Sequence, residues 1–235
     1  MRRSTDSPPN VWAIVPVKKL SRGKQRLSPV LSGKERAELV RAMLHDVLTT
    51  LCATPELAGI IVVTGDPRIA NLATLFEARV VTDVMETGVN AAVQQGLAIL
   101  DAQSARVLII PADLPFATAS DLLTVIAELN QYPVVLAPAL SDGGTNALAM
   151  RQPDLIAPSF GDDSFARHQA LACESGIDCG IVRTDGLGRD IDCPDDLVSW
   201  SESKKFSQTA LLLAEFNVAK RLGIAASPAS EAHVK

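Results

Sequence analysis

Short uncharged apolar runs recur along the chain, and each gives way to a stretch with helical spacing. "VWAIVPV" (Val11–Val17) predicts a strand buried on both faces, because a strand open to water on one side would alternate polar and apolar residues. A polar loop follows, then a helix over residues 34–51 with Ser32 and Glu35 spaced as an S-x-x-E capping box. "GIIVVTGD" (59–66), "ARVVTD" (78–83), "RVLIIPAD" (106–113) and "PVVLAPA" (133–139) predict further strands. Helices are expected from Pro67, over 89–100 and over 120–130, proline suiting a first helical turn. Strands and helices taking turns in this way form a mostly parallel sheet with helices on both faces, a three-layer α/β/α sandwich.

The rhythm changes after residue 139. "TNALAM" (Thr145–Met150) predicts a short strand entered from a Gly-Gly turn. A helix over 164–175 capped by Asp163 or Ser164 follows, then a strand at 179–182 and a helix opened by Pro194. Residues 206–222 predict one amphipathic helix whose apolar face covers its own domain or a second copy, which leaves a homodimer open. No composition break divides residues 11–222, so a single domain is expected, with disordered tails at 1–10 and 223–235.

Composition narrows the class. A chain of 235 residues with 47% hydrophobic content can bury a large core. A net charge of -5 argues against a nucleic-acid partner, and no apolar run approaches the ~20 residues of a membrane span. Cys52, Cys173, Cys179 and Cys193 form no C-x-x-C pair, and no apolar targeting segment follows Arg2-Arg3. Reduced thiols in a cytoplasmic protein are therefore expected.

Open parallel sheets bind ligands at the carboxyl ends of their strands, beside a switch in strand order. Lys18 and Lys19, Asp66, Asp83 and Asp113 follow four of the expected strands. Asp113 stands out as one carboxylate between Pro111 and Pro115 with no basic neighbour in sequence, which points to a ligand or a catalytic group. Lys18, Lys19, Arg22, Lys24 and Arg26, with Gly23 for close approach, suit a cradle for a triphosphate, although the loop lacks the G-x-x-x-x-G-K-[ST] of a P-loop. "FGDDSFARH" opens a helix with a glycine and hydroxyls at its start, a setting that receives phosphate or carboxylate, with Arg167 and His168 in support. In "GRDIDCPDDL" we expect Asp190 and Asp192 to point to opposite sides of an extended segment, one into a cleft and one supporting the loop. Asp195 and Asp196 are expected to complement the helix dipole.

"PVKKLSRGKQRLSPVLS", "PADLP", "GGTNALAM", "FGDDSFARH" and "GRDIDCPDDL" occur together in an order and spacing that make a specific signal. Over about residues 13–197 the chain resembles the guanylyltransferases that make the phosphodiester precursor of coenzyme F-420. The resemblance implies a nucleotide-diphospho-sugar transferase fold of GT-A-like type. It implies transfer of GMP from GTP to the phosphate of 2-phospholactate, phosphoenolpyruvate or 3-phosphoglycerate, with release of pyrophosphate. Two magnesium ions would sit on Asp113 and Asp190, the acid on Thr145, Gly161 and Ser164, and the nucleotide on Lys18, Lys24, Arg26 and Asn90. Lys18 and Lys24 would join the two aspartates in catalysis. Chemistry agrees, because a phosphate monoester with a second pKa of about 6 is already a nucleophile and needs no histidine base. What such a reaction needs is cancellation of charge between two polyanions. A molybdopterin guanylyltransferase or a sugar-phosphate cytidylyltransferase is the nearest rival, but the L-x-x-G-x-G-x-R loop of those enzymes is missing. A catalytically silent binding protein is the remaining rival, and the retained aspartates and basic loop argue against it.

Overall fold

A computed structural model describes residues 10–84, 86–102, 105–201 and 207–223, without the side chains of residues 22 and 199–201. The first apolar run is β1 (Val11–Val17), followed by two 3-10 turns and α1 (Gly33–Cys52). Next come β2 (Leu57–Thr64), α2 (Pro67–Leu75), β3 (Arg79–Thr82), α3 (Val89–Leu97), β4 (Arg106–Ile109) and α4 (Ala119–Glu128). The chain continues with β5 (Val134–Pro138), β6 (Thr145–Met150), α5 (Ser164–Glu174) and β7 (Cys179–Ile181). Four helices close it: α6 (Asp185–Gly188), α7 (Pro194–Ser201), α8 (Gln208–Glu215) and α9 (Val218–Arg221).

Seven strands form one sheet in the order β3-β2-β1-β4-β6-β5-β7. β6 runs antiparallel to both its neighbours, and the other pairings among the described residues are parallel. The antiparallel strand follows from a short connection: Ala139 N donates to Gly144 O at 2.9 Å, and Gly143 takes a φ of 70° that few other residues tolerate. β6 then inserts between β4 and β5, so two strands that are successive in the parallel pattern are not neighbours.

Strand β1 shows why its sequence has no polar alternation. Ala13, Val15 and Val17 face a core with Leu39 and Met43 of α1 and Leu122 of α4. Ile14 faces a second core with Ile61, Ile109 and Leu148 of the sheet and Val93 of α3. Both faces are covered, as three layers require.

The helix starts obey local chemistry. Ser32 and Glu35 complete the expected capping box on α1, and Pro67 is in the first turn of α2 behind the N-cap Asp66. A second box, Thr118 with Asp121, starts α4 and went unread in the sequence. The terminal helix differs from expectation. Within 207–223 it is two short helices broken at Asn217, which adopts a left-handed φ of 53°. Leu213 and Val218 pack into the α1-side core, and the buried Asp46 of α1 accepts the amides of Gln208 and Thr209 at 2.9 Å each. The apolar face therefore covers its own domain. Residue 206 and most of the two expected tails lie outside the described residues. Among those described, no helix is long and apolar enough to cross a membrane.

Candidate active site

β1 lies between β2 and β4, so strand order switches there, and the segment after β4 carries Asp113 to the carboxyl edge of the sheet. Ile191 N donates to Asp113 O at 3.1 Å and fastens residues 189–193 beside it. One carboxylate oxygen each from Asp113, Asp190 and Asp192 then lie within 4.8 Å of one another. The expectation that Asp190 and Asp192 point apart is overturned. Residues two apart in an extended chain share a face, and buried Ile191 between them takes the opposite one. Asp196 accepts the amides of Asp192 and Cys193 at 2.7 Å each, so it supports the loop.

Asp113 has a basic partner after all, far away in sequence. Lys24 holds a left-handed φ of 51°, its side chain is only 7% exposed, and its Nζ meets Asp113 Oδ2 at 2.5 Å and also Asp192 Oδ1. Burial opposes the ammonium charge, but Asp113 and Asp192 outweigh it and raise the lysine above its ordinary value. The other oxygen of Asp113, Oδ1, is buried without a hydrogen-bond partner. Burial, with Asp113 close by, pushes Asp190 up to about 6, even though Asn146 Nδ2 donates to it at 3.4 Å. Three carboxylates thus face one ammonium, a surplus of negative charge.

That surplus makes a stability prediction. A carboxyl with a raised folded-state pKa favours folding while protonated, and the benefit is lost as pH rises from about 4 through about 6. Without divalent metal, Asp190→Asn should therefore stabilise the protein at pH 8 by about 1–2 kcal/mol, the partial exposure of the group reducing the full effect. At pH 4.5 the gain should shrink. Thermal melts at the two pH values, with chelator present, check this.

The basic loop forms the mouth of the cleft. Leu20 N donates to Asp66 Oδ2 at 3.1 Å and anchors it. A Cβ on Gly23 would stand 3.0 Å from Val40 Cγ2, so this glycine lets the loop pack on α1. Lys18 and Arg26 are exposed at the rim, with Arg26 4.0 Å from Asp192. Lys19 pairs with Glu86 at 2.5 Å. The side chain of Arg22 lies outside the described residues. Asp83 accepts Glu86 N and Gln95 Nε2, so it and Asp66 are held in place by the fold.

The opposite wall comes from β6 and α5. Thr145 and Ser164 are 4% and 1% exposed. Thr145 N donates to Ser164 Oγ at 2.9 Å, and α5 starts after left-handed Asp163 without any side-chain cap bond. Asp163 thus stands at the expected N-cap position but its side chain makes no capping bond, and the serine hydroxyl is turned to β6. Gly161 has a φ of 121°, a conformation that favours glycine. His168 is fully buried, with Nδ1 2.9 Å from Thr145 Oγ1 and Nε2 accepting Ser159 N at 2.9 Å. Burial and the neighbouring Arg167 push it down to about 4, so it is neutral and receives no anion. Arg167 donates to Ser159 Oγ and to the carbonyls of Ser159 and Asp162, bracing the loop. Asn90 uses both ends of its amide on the backbone of Phe160, at 2.7 and 3.1 Å. It clamps α3 to the Phe160–Gly161 loop instead of reaching into the cleft.

Lys18, Arg26, the three aspartates, Thr145, Gly161 and Ser164 all line one cleft of about 670 Å³. Sequence reasoning missed Asp192 as a cleft carboxylate alongside Asp190 and Asn146 as the support of Asp190. The second was unreadable, because Asn146 reaches Asp190 and Leu187 O only through tertiary packing.

This mixed sheet with its cleft at the strand switch is the fold of nucleotide-diphospho-sugar transferases. A solved protein of that description from Desulfovibrio desulfuricans G20 superposes with a TM-score of 0.73 at 17% identity, covering 91% of this chain and 96% of that one. Within that class the chain belongs to the family described as Guanylyl transferase CofC like, whose model matches residues 11–211. It is similar to a phosphoenolpyruvate guanylyltransferase of Sphaerobacter thermophilus, 40% identical over 79% of this chain and 89% of the relative. It is also similar to a 3-phospho-D-glycerate guanylyltransferase of Phenylobacterium zucineum, 37% identical over 82% and 90%.

Proposed function

We propose that this protein transfers GMP from GTP to the phosphate of a phosphorylated three-carbon acid, releasing pyrophosphate, as a step in coenzyme F-420 biosynthesis. One observation carries the reading: three carboxylates converge between a basic mouth and a wall of buried hydroxyls. Relatives named for phosphoenolpyruvate and for 3-phosphoglycerate set the substrate class.

The residues fit a divalent cation. The donor set is all carboxylate oxygen, which suits magnesium, and the buried Asp113 Oδ1 lacks a partner. Asp113 and Asp190, joined by Asp192, would hold it, and the two-ion arrangement implied by the resemblance has three carboxylates to draw on. Bound there, magnesium would neutralise charge on the phosphates and fix their geometry.

The chain's own residues carry the rest. Lys18 and Arg26 at the rim meet the triphosphate, and Lys24, which spends two of its three N–H donors on Asp113 and Asp192, has one left for a phosphate oxygen. Thr145, Gly161 and Ser164 receive the acid on the opposite wall. Asn90 serves the nucleotide side indirectly, through the Phe160 loop. The acid's phosphate oxygen attacks the α-phosphorus of GTP, a P–O bond forms, and the bond to pyrophosphate breaks. No side chain need remove a proton, since the attacking phosphate is largely dianionic near neutrality. Positioning and charge supply the catalysis. Four free cysteines accord with work in the cytoplasm.

The test is direct. With GTP and magnesium, one of phosphoenolpyruvate, 2-phospholactate and 3-phosphoglycerate should give a product whose mass equals the acid plus GMP less one water, with stoichiometric pyrophosphate. Pyrophosphate release without such a product, or no reaction with any of the three, overturns the reading.

A further inference from the structure

Resting on that reading, we propose that His168 is a positioning residue that sets the hydrogen-bond polarity of Thr145 on the acid-binding wall, leaving that hydroxyl's proton, alongside the proton of Ser164, to face the incoming anion.

The argument is one of proton bookkeeping in a buried network. Ser159 N–H is a fixed donor and points at His168 Nε2, so Nε2 carries the lone pair. A neutral imidazole must then bear its proton on Nδ1, which faces Thr145 Oγ1 at 2.9 Å. The Thr145 hydroxyl therefore takes a hydrogen bond from the histidine and cannot direct its own proton there. That proton is left for the cleft, which Thr145 lines.

Ser164 reaches the same state by another route. Its Oγ accepts Thr145 N–H at 2.9 Å, so its hydroxyl proton is also available to the cleft it lines. Two buried hydroxyls would otherwise be ambivalent, each able to donate or accept. Here the protein supplies both acceptor-side partners itself, and what remains is a pair of donors matched to carboxylate or phosphate oxygen. His168 touches no substrate; it acts through Thr145.

Two measurements decide the matter. In nitrogen-15 spectra of the imidazoles, recorded on the full chain without substrate, His168 should show a protonated Nδ1 and an unprotonated Nε2 at pH 7. The opposite tautomer, or an imidazolium, overturns the proposal. Kinetics of two near-isosteres then separate polarity from packing. Asparagine can place an N–H where Nδ1 stands, and glutamine can place an acceptor where Nε2 stands. His168→Gln should raise the KM for the acid on the order of tenfold, the usual effect of a lost hydrogen bond to a charged group, while KM for GTP stays unchanged. His168→Asn should restore most of the acid affinity. Equal effects of both variants on both substrates would mean that His168 is only a packing residue, and would overturn the proposal. If none of the three acids turns over, the reaction assignment fails, and the imidazole spectrum still decides the polarity on its own.

Discussion

Asp113→Asn is expected to lower turnover by about 10³-fold at saturating GTP, acid and magnesium while leaving the fold intact. Asp113 alone of the three follows a central strand, β4, which pairs with β1, and comes directly after half-buried Pro111 and buried Ala112. It offers a buried oxygen without a partner, and its other oxygen holds Lys24. An amide keeps the volume and can keep one contact to Lys24, but it loses the charge that a divalent cation or a phosphate-neutralising cluster requires. Lys24 retains Asp192 in the variant, so thermal stability should change little. Pyrophosphate release is the measurement. A variant working within tenfold of the parent would remove the carboxylate cluster from the mechanism.

The second large effect concerns the other member of the same cluster. Lys24→Met should destabilise the protein by about 2–3 kcal/mol in the absence of divalent cation, because it leaves three carboxylates facing one another with only the exposed Arg26, 4.0 Å from Asp192, as counter-charge. For a chain of this size that is a fall of roughly 5–10 °C in Tm. Breaking a fully buried pair costs more, but Asp113 and Asp192 retain some contact with water. Magnesium should stabilise the variant more than the parent, since a cation then supplies the charge that the lysine no longer does. Melting curves with and without magnesium test both statements, and a variant that melts with the parent under both conditions would show that Lys24 is no counter-ion.

The sequence carried the fold because its signals are local. Uncharged runs such as Val11–Val17, the Ser32–Glu35 box and Pro67 each settle an element from a few neighbouring residues. What it could not carry was decided by contacts across long separations. Lys24 looked like a phosphate contact within a basic loop, and only folding brings it to Asp113, 89 positions away. Asn90 likewise gives its amide to a backbone 70 positions on, and His168 reads as a cation until burial is known. The break at Asn217 was hidden for a different reason: apolar spacing continues across it, and a left-handed asparagine leaves little trace in periodicity. Asp192 was within reach. The period-two geometry of an extended chain already puts it beside Asp190.

The reversed direction of β6 has a consequence for how such enzymes diversify. Because Thr145 opens that strand, the wall proposed for the acid is assembled from residues 142–164, whereas the mouth proposed for the nucleotide comes from the first half of the chain. Changes in the turn before β6 or in the loop ahead of α5 can reshape one chamber without disturbing the register of β1, β2 and β4. Swapping preference between three-carbon acids is then a local edit, which is the plasticity expected of a family whose members bear the names of different acids.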